Sequence, residues 1–481
     1  MDATTIHATT VQGGLATLSD EIIAELRERV SCPVLAPDDA GFGEVRAVFN
    51  AMHPGDPSLV VSCFGTADVV DAVTFARDNG LAVSVRGGGH SIAGLSASDS
   101  CLLIDLAPMH AVQVDAAARL ARVQGGAVWA DVDRETQAFG LATPGGVVSD
   151  TGVAGLTLGG GYGWLRRKYG LACDHLMAAE VVGPDGQVRV ASETENTDLL
   201  WALRGGGGNF GVVTWFTFAL EEVGPTVAFG GTFYPVEEAA QVLRGWRDYV
   251  AIAPDEVTST CLTITMPADP ALPEAVHNRA CVVVGAVYSG DAEAGMDIIR
   301  PLRELGSPLM DMSQPMPFTE VQQGFDAFFP RNTLQAYWKS RYLSSLDDQA
   351  IDFVAARALD RPSPFTLVNV FHMGGAIAAV APEATAFAQR SSPFLLSIDG
   401  NWADPADNAA NIAWVRRTFQ ESASHGDDGV YLNFTGRSDE PPDVAVDSAF
   451  GANLRRLGEI KAKYDPTNMF RSNNNITPAP S

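Results

Sequence analysis

The sequence predicts an α+β fold of two domains, and three observations support this prediction. The chain has 481 residues, of which 46% are hydrophobic, enough to fill two cores. In its first part, short apolar runs alternate with amphipathic helical stretches and with glycine-rich stretches. From about residue 226 the pattern changes to strands alternating with long helices, and glycine clusters become rare. We therefore expect a domain boundary near residue 226.

The first predicted elements are a helix and then strands with helices between them. The helix begins at Ser19, whose hydroxyl can cap it, and places Ile22, Ile23 and Leu26 on one face. A second helix begins at Thr66 or Asp68 and ends at Gly80. Apolar runs predict strands at 59–64, 81–85, 101–106 and 121–128. The order around the second helix is therefore strand, helix, strand.

Later elements follow the same rules. A helix is expected at 129–139 and a hairpin at 178–192, with its turn at 184–186. In the second part, strands are expected at 227–235, 257–266 and 279–290, with a helix at 236–252. A last helix places Phe450, Leu454, Leu457 and Ile460 on one face and ends at Asp465-Pro466.

Charge and cysteine usage limit the partners and the compartment. The chain has 58 acidic and 32 basic side chains, so its formal net charge is −26 and it repels phosphate backbones and anionic lipid headgroups. The N-terminus has no signal-peptide pattern, and no run of about 18 apolar residues occurs. The six cysteines are scattered singly, which indicates neither a metal site nor a disulfide framework. We expect a cytoplasmic protein that binds neither nucleic acid nor membranes.

Glycine-rich stretches are the strongest functional signal. They occupy 86–91, 152–163, 204–211 and 372–376. Such loops let backbone N–H groups converge on a phosphate. Gly206-x-Gly208-x-x-Gly211 matches the dinucleotide pattern, but a helix precedes it and a strand follows, the reverse of a Rossmann unit. No P-loop motif occurs. The loops together indicate a long, doubly charged ligand such as the pyrophosphate of FAD.

Seven motifs extend this interpretation. They are SVRGGGHSIAGLS, GGVVSDTGVAGLTLGGGYGWLRRKYGLACDHL, LRGGGGNFGVVT, YWKSRYL, GGAIAAV, YLNF and YDPTNMFRSNNNI. In this order they resemble the berberine bridge enzyme-like FAD-linked oxidases, a branch of the vanillyl-alcohol oxidase-type flavoproteins, from about residue 50 onward. The resemblance implies an FAD-binding domain over 1–225, completed by 434–481. It also implies a substrate domain over 226–433, whose antiparallel sheet faces the flavin.

The resemblance implies that His90 carries FAD covalently through the flavin 8α-methyl group. A neutral imidazole is a competent nucleophile near neutral pH. Many relatives attach the flavin a second time, through a cysteine four residues before the glycine of their GVGG-like motif. Counting back from Gly152 gives Val148, and no cysteine lies within 145–172. We therefore expect one covalent bond, no cysteinyl link, and a flavin less strongly oxidising than in doubly linked relatives.

By the same resemblance, further residues would contact the cofactor, and Thr151 would influence oxygen access. The first loop would contribute Arg86, Gly87, Gly88, Gly89 and Ser91, and the second would contribute Thr151, Gly152, Gly155, Gly160, Gly161 and Tyr162. Gly208, Gly211, either Val212 or Val213, Asn433, Asn473 and Asn475 would complete the set.

The catalytic candidates are Tyr431 and Asn433 of YLNF. Strand alternation would place both side chains on one face. The resemblance implies that Asn433 contacts the flavin and that Tyr431 is the candidate base. An unperturbed tyrosine is protonated at neutral pH, so Tyr431 needs a nearby cation or proton acceptor. Some relatives carry a base at the position of Ser397, where serine is a poor base, and Asp399 shares its face.

The resemblance implies an oxidase that takes a hydride from an alcohol, amine or activated carbon of a sugar or secondary metabolite and reduces dioxygen to hydrogen peroxide. The other partner is then the small-molecule substrate. His372 either lines the substrate side or packs in the interior. Two alternatives remain: a dehydrogenase of the same fold with another electron acceptor, and a flavin-binding protein without turnover.

Overall fold

The computed structural model describes residues 6–437 and 443–480. The elements before residue 226 are β1 (Ile6–Thr9), β2 (Leu15–Leu18), α1 (Asp20–Arg29), β3 (Val34–Leu35), α2 (Phe42–Arg46), β4 (Leu59–Ser62), α3 (Thr66–Asp78), β5 (Val83–Arg86), β6 (Leu102–Asp105), β7 (Val112–Asp115), β8 (Leu120–Gln124), α4 (Trp129–Gln137), β9 (Leu141–Ala142), α5 (Val153–Leu158), α6 (Arg166–Tyr169), β10 (Leu176–Val182), β11 (Val188–Ser192), α7 (Thr197–Leu203), β12 (Val212–Ala219) and β13 (Glu221–Glu222).

The remaining elements begin with a long strand at residue 226. They are β14 (Thr226–Pro235), α8 (Ala239–Val250), β15 (Val257–Thr265), β16 (Ala280–Tyr288), α9 (Ala292–Ile299), β17 (Met310–Asp311), β18 (Gln314–Pro317), α10 (Phe318–Gln323), β19 (Gln335–Leu343), α11 (Asp348–Leu359), β20 (Leu367–His372), α12 (Ala376–Ala379), β21 (Phe394–Trp402), α13 (Asn408–Glu421), α14 (Asp443–Phe450) and α15 (Leu454–Tyr464). The predicted α+β class is confirmed.

Two main sheets form the first part of the chain. The order of one is β3-β4-β6-β5, with β6 parallel to both β4 and β5. Helix α3 connects β4 to β5, which confirms the predicted strand, helix, strand order. The other sheet is antiparallel, with order β11-β10-β12-β8-β7, and includes the predicted hairpin as β10 and β11. Ser19 caps α1 as predicted, because its hydroxyl accepts a hydrogen bond from Ile22 N.

One large antiparallel sheet of eight strands forms the second part. Its order is β17-β14-β16-β15-β20-β21-β19, and β18 pairs with β14. The strands are rich in Val and Thr, which favour the extended backbone. Helices α8, α11 and α13 cover one face, where Trp246, Trp414 and Val415 are buried in a shared core. The opposite face is therefore free to form the wall of a site.

The C-terminal helix packs against the first part of the chain. Leu457 and Ile460 of α15 are buried in the same core as Leu199 and Leu203 of α7. The helix ends at a buried ion pair in which Lys461 Nζ lies 2.7 Å from Asp465 Oδ2. Among the residues that the structure describes, no helix combines the length and the apolar character needed to span a bilayer.

We expect Asp465→Ala to lower the free energy of unfolding by about 3–5 kcal/mol, because it leaves the buried Lys461 ammonium without its counter-ion. It also removes the acceptor for the backbone N–H groups of Met469 and Phe470. Urea denaturation followed by tryptophan fluorescence measures the loss. Asp297→Asn is the control, since that carboxylate forms an exposed pair with Arg300. Equal stability of the two variants would contradict the prediction.

Candidate active site between the glycine loops and the large sheet

A cavity lies where the glycine loops of the first part face the eight-stranded sheet. The loop side includes Gly87, Gly88, Gly89, His90, Ser91, Val148, Thr151, Gly152, Gly155, Tyr162, Gly208, Gly211 and Val213. The sheet side includes Thr260, Leu262, Trp338, Leu367, Asn369, Phe371 and Asp399. Tyr431, Asn433, Phe434 and Asn473 come from the segments that follow the sheet. Most of the predicted site residues are thus brought together in one place.

The first two glycine loops touch backbone to backbone. A Cβ atom on Gly88 would overlap the Cα and N atoms of Gly152, and a Cβ on Gly152 would overlap Gly88 in return. Gly89 has a φ of +70°, in the left-handed region that side chains disfavour. The glycines are therefore required for the close approach of the loops and for the turn that leads to His90.

His90 is held by an aromatic ring and by a carboxylate. Its imidazole stacks on Phe49, with 4.0 Å between ring centroids and 18° between ring planes. His90 Nε2 lies 3.2 Å from Asp150 Oδ1, at ion-pair distance, although neither atom is aligned for a hydrogen bond within the described part of the chain. The imidazole thus has a fixed plane and a carboxylate neighbour.

Asp150 also faces an arginine from the second part of the chain. Arg331 Nη1 lies 3.6 Å from Asp150 Oδ2, and Arg331 Nη2 donates a hydrogen bond to Gly88 O. Burial by itself would raise the pKa of Asp150, but the nearby His90 and Arg331 hold this pKa below its usual value. Asp150 is therefore a carboxylate at neutral pH.

The segment 324–334, which contains Arg331, closes one side of the cavity. Two of its aromatic side chains, Phe325 and Phe329, line the cavity. Asp326 accepts hydrogen bonds from Ser149 N at 2.8 Å and from Ser149 Oγ at 2.6 Å. Arg331 and Asp326 were not predicted from the sequence, because neither residue belongs to a recognisable motif.

Several predicted cofactor contacts do not line the cavity. Arg86 lies behind the first loop, where its Nε donates to Asp105 Oδ1 at 2.8 Å. Val212 packs into the core of the four-stranded sheet, whereas Val213, one residue further on β12, lines the cavity. Gly160, Gly161 and Asn475 also lie outside the wall. Because side chains alternate along a strand, Val213 lines the cavity and Val212 does not. Gly160 and Gly161 have positive φ because they form the turn after α5.

Asn473 joins the third glycine loop to the C-terminal segment. Its Nδ2 donates to Gly208 O at 3.2 Å, and the neighbouring Asn474 O accepts from Asn209 Nδ2 at 3.1 Å. Asn473 Oδ1 is buried and has no hydrogen-bond partner among the described residues. An unpaired buried acceptor at the wall of a cavity fits a polar ligand.

The prediction that Tyr431 and Asn433 lie on a strand is wrong. Leu432–Phe434 form a short 3-10 helix, and Tyr431 immediately precedes it. The two side chains still meet, because Asn433 Nδ2 donates to Tyr431 Oη at 2.8 Å. Gly161 N donates to the same oxygen at 3.1 Å. Burial nevertheless raises the pKa of Tyr431 above its ordinary value, so the phenol stays protonated at neutral pH.

Asp399 on β21 is the acidic side chain of the sheet wall. It is 4% exposed, and Ser397 Oγ donates a hydrogen bond to its Oδ1. Burial raises the pKa of this carboxyl group to about 7. Its cross-strand neighbours are Trp338 on β19 and Leu367 on β20. The sequence indicated Asp399 less strongly than Tyr431, since neither its burial nor its surroundings could be inferred from the motif.

His372 lies in the interior rather than on the cavity wall. Its neighbour Phe371 lines the cavity, so alternation along β20 points His372 to the helix-covered face of the sheet. There its ring lies near Trp246 and Phe394. Burial, with the charges of Arg167 and Arg166, lowers the pKa of His372 to about 2. Of the two roles considered, packing is the one that the structure supports.

The residues around the cavity fit FAD. The backbone N–H groups of Gly88 and His90 donate to no residue that the structure describes, as expected of groups that bind phosphate. Tyr162 Oη and Asn473 Oδ1 are buried polar atoms without a described partner. The aromatic and aliphatic side chains of the sheet provide an apolar surface for a planar ring system.

Comparisons with known proteins define the class. The model of the FAD binding domain family matches residues 57–192, and the model of the berberine and berberine-like family matches residues 430–477. An FAD-linked oxidoreductase of Dictyostelium discoideum is 30% identical over 426 residues, which cover 88% of this chain and 89% of that protein. The chain therefore belongs to the berberine bridge enzyme-like family of FAD-linked oxidoreductases, and it is an enzyme of that family.

Characterised relatives carry more specific names. The (R)-6-hydroxynicotine oxidase of Paenarthrobacter nicotinovorans is 29% identical, and the match covers 92% of this chain and 96% of that enzyme. The solved structure of 6-hydroxy-D-nicotine oxidase from Arthrobacter nicotinovorans is 28% identical, with a TM-score of 0.83 and coverage of 94% and 98%. A chitooligosaccharide oxidase structure, at 24% identity, a TM-score of 0.83 and coverage of 95% and 100%, shares the fold. The predicted two-domain FAD-linked oxidase fold is confirmed.

We expect Gly88→Ala to lower both the flavin content and the stability of the protein. The added methyl group would overlap the backbone of Gly152 and push the first two loops apart, at a cost of about 1–3 kcal/mol. Visible absorbance per chain and the thermal unfolding midpoint measure the two effects. Gly65→Ala is the control, because its Cβ would meet open space and its backbone is extended. Wild-type flavin content in Gly88→Ala would contradict the prediction.

Proposed function

We propose that the protein is an oxidase that binds FAD covalently through His90 and removes a hydride from an alcohol, amine or activated carbon. When bound, FAD accepts the hydride and passes the electrons to dioxygen, which gives hydrogen peroxide. One observation carries the proposal: a single cavity joins the loop of His90 to a buried acid, Asp399, on the facing sheet. The relatives named as oxidases support the same activity.

The structure supports Asp399 rather than Tyr431 as the proton acceptor. Tyr431 Oη receives two hydrogen bonds, from Asn433 and from Gly161, and among the described residues it contacts no cation or proton acceptor. Asp399, with a pKa of about 7, is partly a carboxylate at neutral pH and lines the cavity. A base whose pKa lies near the working pH is effective in proton transfer. Tyr431 and Asn433 would then position the cofactor and the substrate.

The attachment of FAD would involve one residue. Val148, at the position where relatives have a cysteine, lines the cavity. None of the six cysteines is among the lining residues, and all six are free thiols. These observations support a single bond at His90.

Asp150 would act as a positioning residue for this attachment. Attachment would join an imidazole nitrogen of His90 to the 8α-methyl carbon with loss of one N–H and one C–H hydrogen, and dioxygen would accept both hydrogens and become hydrogen peroxide. A carboxylate near Nε2 favours the proton position that leaves the opposite nitrogen free to react. The stacked ring of Phe49 fixes the plane of the imidazole.

We also propose that the enzyme works in the cytoplasm, on a small-molecule substrate and dioxygen. Six unpaired cysteines support a reducing compartment. The net charge of −26 supports the absence of nucleic acid and anionic membranes among its partners.

We expect His90→Ala to retain flavin that acid precipitation releases, whereas the wild type keeps it on the peptide that contains residue 90. Asp150→Asn should lower the covalently attached fraction severalfold, because the amide cannot orient the imidazole proton in the same way. Fluorescence of the denatured chain and peptide mass spectrometry measure this fraction. Asp360→Asn, on the surface, is the control. Flavin on a cysteine peptide, or full attachment in His90→Ala, would contradict the linkage.

We expect the rate of flavin reduction to increase as the pH rises through about 7, because Asp399 accepts a proton only as a carboxylate. Asp399→Asn should lose this dependence and lower the rate by about 100-fold or more. Tyr431→Phe should keep the dependence. Stopped-flow absorbance measures both variants with a substrate found in a panel of sugars, alkaloids and polyketide alcohols.

The reverse pattern in these two variants would restore Tyr431 as the base. Oxidase activity is tested separately, by mixing the reduced enzyme with air-saturated buffer and measuring peroxide. Slow reoxidation would favour a dehydrogenase. If no substrate of the panel reduces the flavin, a flavin-binding protein without turnover gains support.

A further inference from the structure

The sheet wall of the cavity places one carboxyl group among apolar side chains. Asp399 lies on β21 of this wall, with Trp338 and Leu367 directly beside it on the neighbouring strands. In the next rows along the sheet, Asn369 and Phe371 of β20 also line the cavity. The substrate therefore meets an acid in an otherwise mainly apolar environment.

Within residues 6–437 and 443–480, Asp399 forms no ion pair. Ser397 Oγ donates to its Oδ1, and Oδ2 has no hydrogen-bond partner among the described residues. The lining residues that can carry positive charge are Arg166 and His90. All three guanidinium nitrogens of Arg166 donate to backbone oxygens, namely His372 O at 2.8 Å, Gly163 O at 2.9 Å and Ser259 O at 2.7 Å. His90 is held at Asp150 and Phe49 instead.

An aromatic cluster begins beside the acid and continues along the cavity wall. Trp338 lies beside it, and ring centroids of Phe434 and Phe329 lie 5.5 and 5.9 Å from that of Trp338. Phe371 lies 6.0 Å from Phe434 and 5.5 Å from Tyr162. A carboxylate combined with aromatic rings is the environment that binds ammonium groups, by ion pairing and by cation–π attraction.

Other substrate classes fit this wall less well. Besides Asp399, the polar side chains of the sheet wall are Thr260 and Asn369, and the Thr260 hydroxyl donates to Asn369 Oδ1. A sugar would bury several hydroxyl groups there, and each one without a partner costs roughly 1–3 kcal/mol. Anionic substrates are repelled by Asp399 and by the net charge of −26, which also attracts cations.

We infer that the substrate is an amine with an apolar or aromatic body, which enters as an ammonium ion and pairs with Asp399 beside the aromatic cluster. This inference rests on the proposed oxidase function and specifies its substrate class. The ammonium ion transfers its N–H proton to Asp399, and the neutral amine then loses a hydride from the adjacent carbon to bound FAD. The product is an iminium ion. Dioxygen receives the two electrons and the hydrogen of the hydride through FAD, together with the proton from Asp399, and becomes hydrogen peroxide.

Calorimetric titration of the purified holoenzyme tests this inference without turnover. The probes are benzyltrimethylammonium, which cannot form an iminium ion, and its neutral isostere neopentylbenzene. We expect the cation to bind at least about tenfold more tightly than the neutral compound. Asp399→Asn should remove most of this preference. Asp133→Asn is the matched control, since Asp133 is another buried acid with a pKa raised to about 7 by burial, but lies outside the cavity wall.

The pH dependence of binding gives a second measurement on the wild-type protein. Affinity for the cation should fall as the pH decreases from about 8 to about 6, because Asp399 becomes neutral, and affinity for neopentylbenzene should not. The titratable groups near Asp399 in the cavity are Tyr162, whose phenol interacts with Asp399, and the neighbours of Tyr162, namely Tyr431 and Arg166. Burial raises the pKa of both tyrosines and lowers that of Arg166 to about 9, so none of them changes charge in this interval.

Each outcome decides the inference. Equal affinity for the two probes, failure of the cation to bind, or an unchanged preference in Asp399→Asn would overturn it. A protein that carries flavin and reacts rapidly with dioxygen but shows no cation preference has another substrate class. A protein that takes up no FAD refutes the proposed function itself.

Discussion

The contact between the backbones of Gly88 and Gly152 is the constraint on which the rest of the site depends. Two loops separated by more than sixty residues approach so closely that neither position has space for a side chain. This contact exposes amide groups along one wall of the cavity and places His90 at the end of the turn. Because Asp150 and Thr151 immediately precede Gly152, the same contact also places Asp150 near His90.

The large sheet has a complementary role. Because side chains alternate along each strand, one face of the sheet packs against helices and the other face lines the cavity. Along β20, Phe371 and Asn369 face the cavity, while Val370 and His372 face the helices. The surroundings of Asp399, which determine the pKa of its carboxyl group, are therefore the neighbours on the cavity face. An antiparallel sheet can leave one face without covering helices, so this face remains available to line the cavity.

Much of the fold followed from the sequence, because glycine clusters, caps and apolar periodicity are local signals. The helix capped by Ser19, the hairpin at 178–192 and the change of pattern near residue 226 all depend on neighbours in the chain. The site was predicted less completely. Where a strand was predicted for Tyr431 and Asn433, a 3-10 helix begins after Tyr431, and the burial of Asp399 depends on partners from two neighbouring strands, β19 and β20. Such long-range effects leave no local pattern to read.

The ion pair between Arg331 and Asp150 crosses from one half of the chain to the other. If Asp150 positions His90 as proposed, attachment of the cofactor requires that the two halves are already docked, because Arg331 and the ring of Phe329 arrive only with the second half. Covalently bound flavin would then be found only on chains in which the two halves had docked. A chain that folded its first half alone would bind the cofactor reversibly and could lose it again.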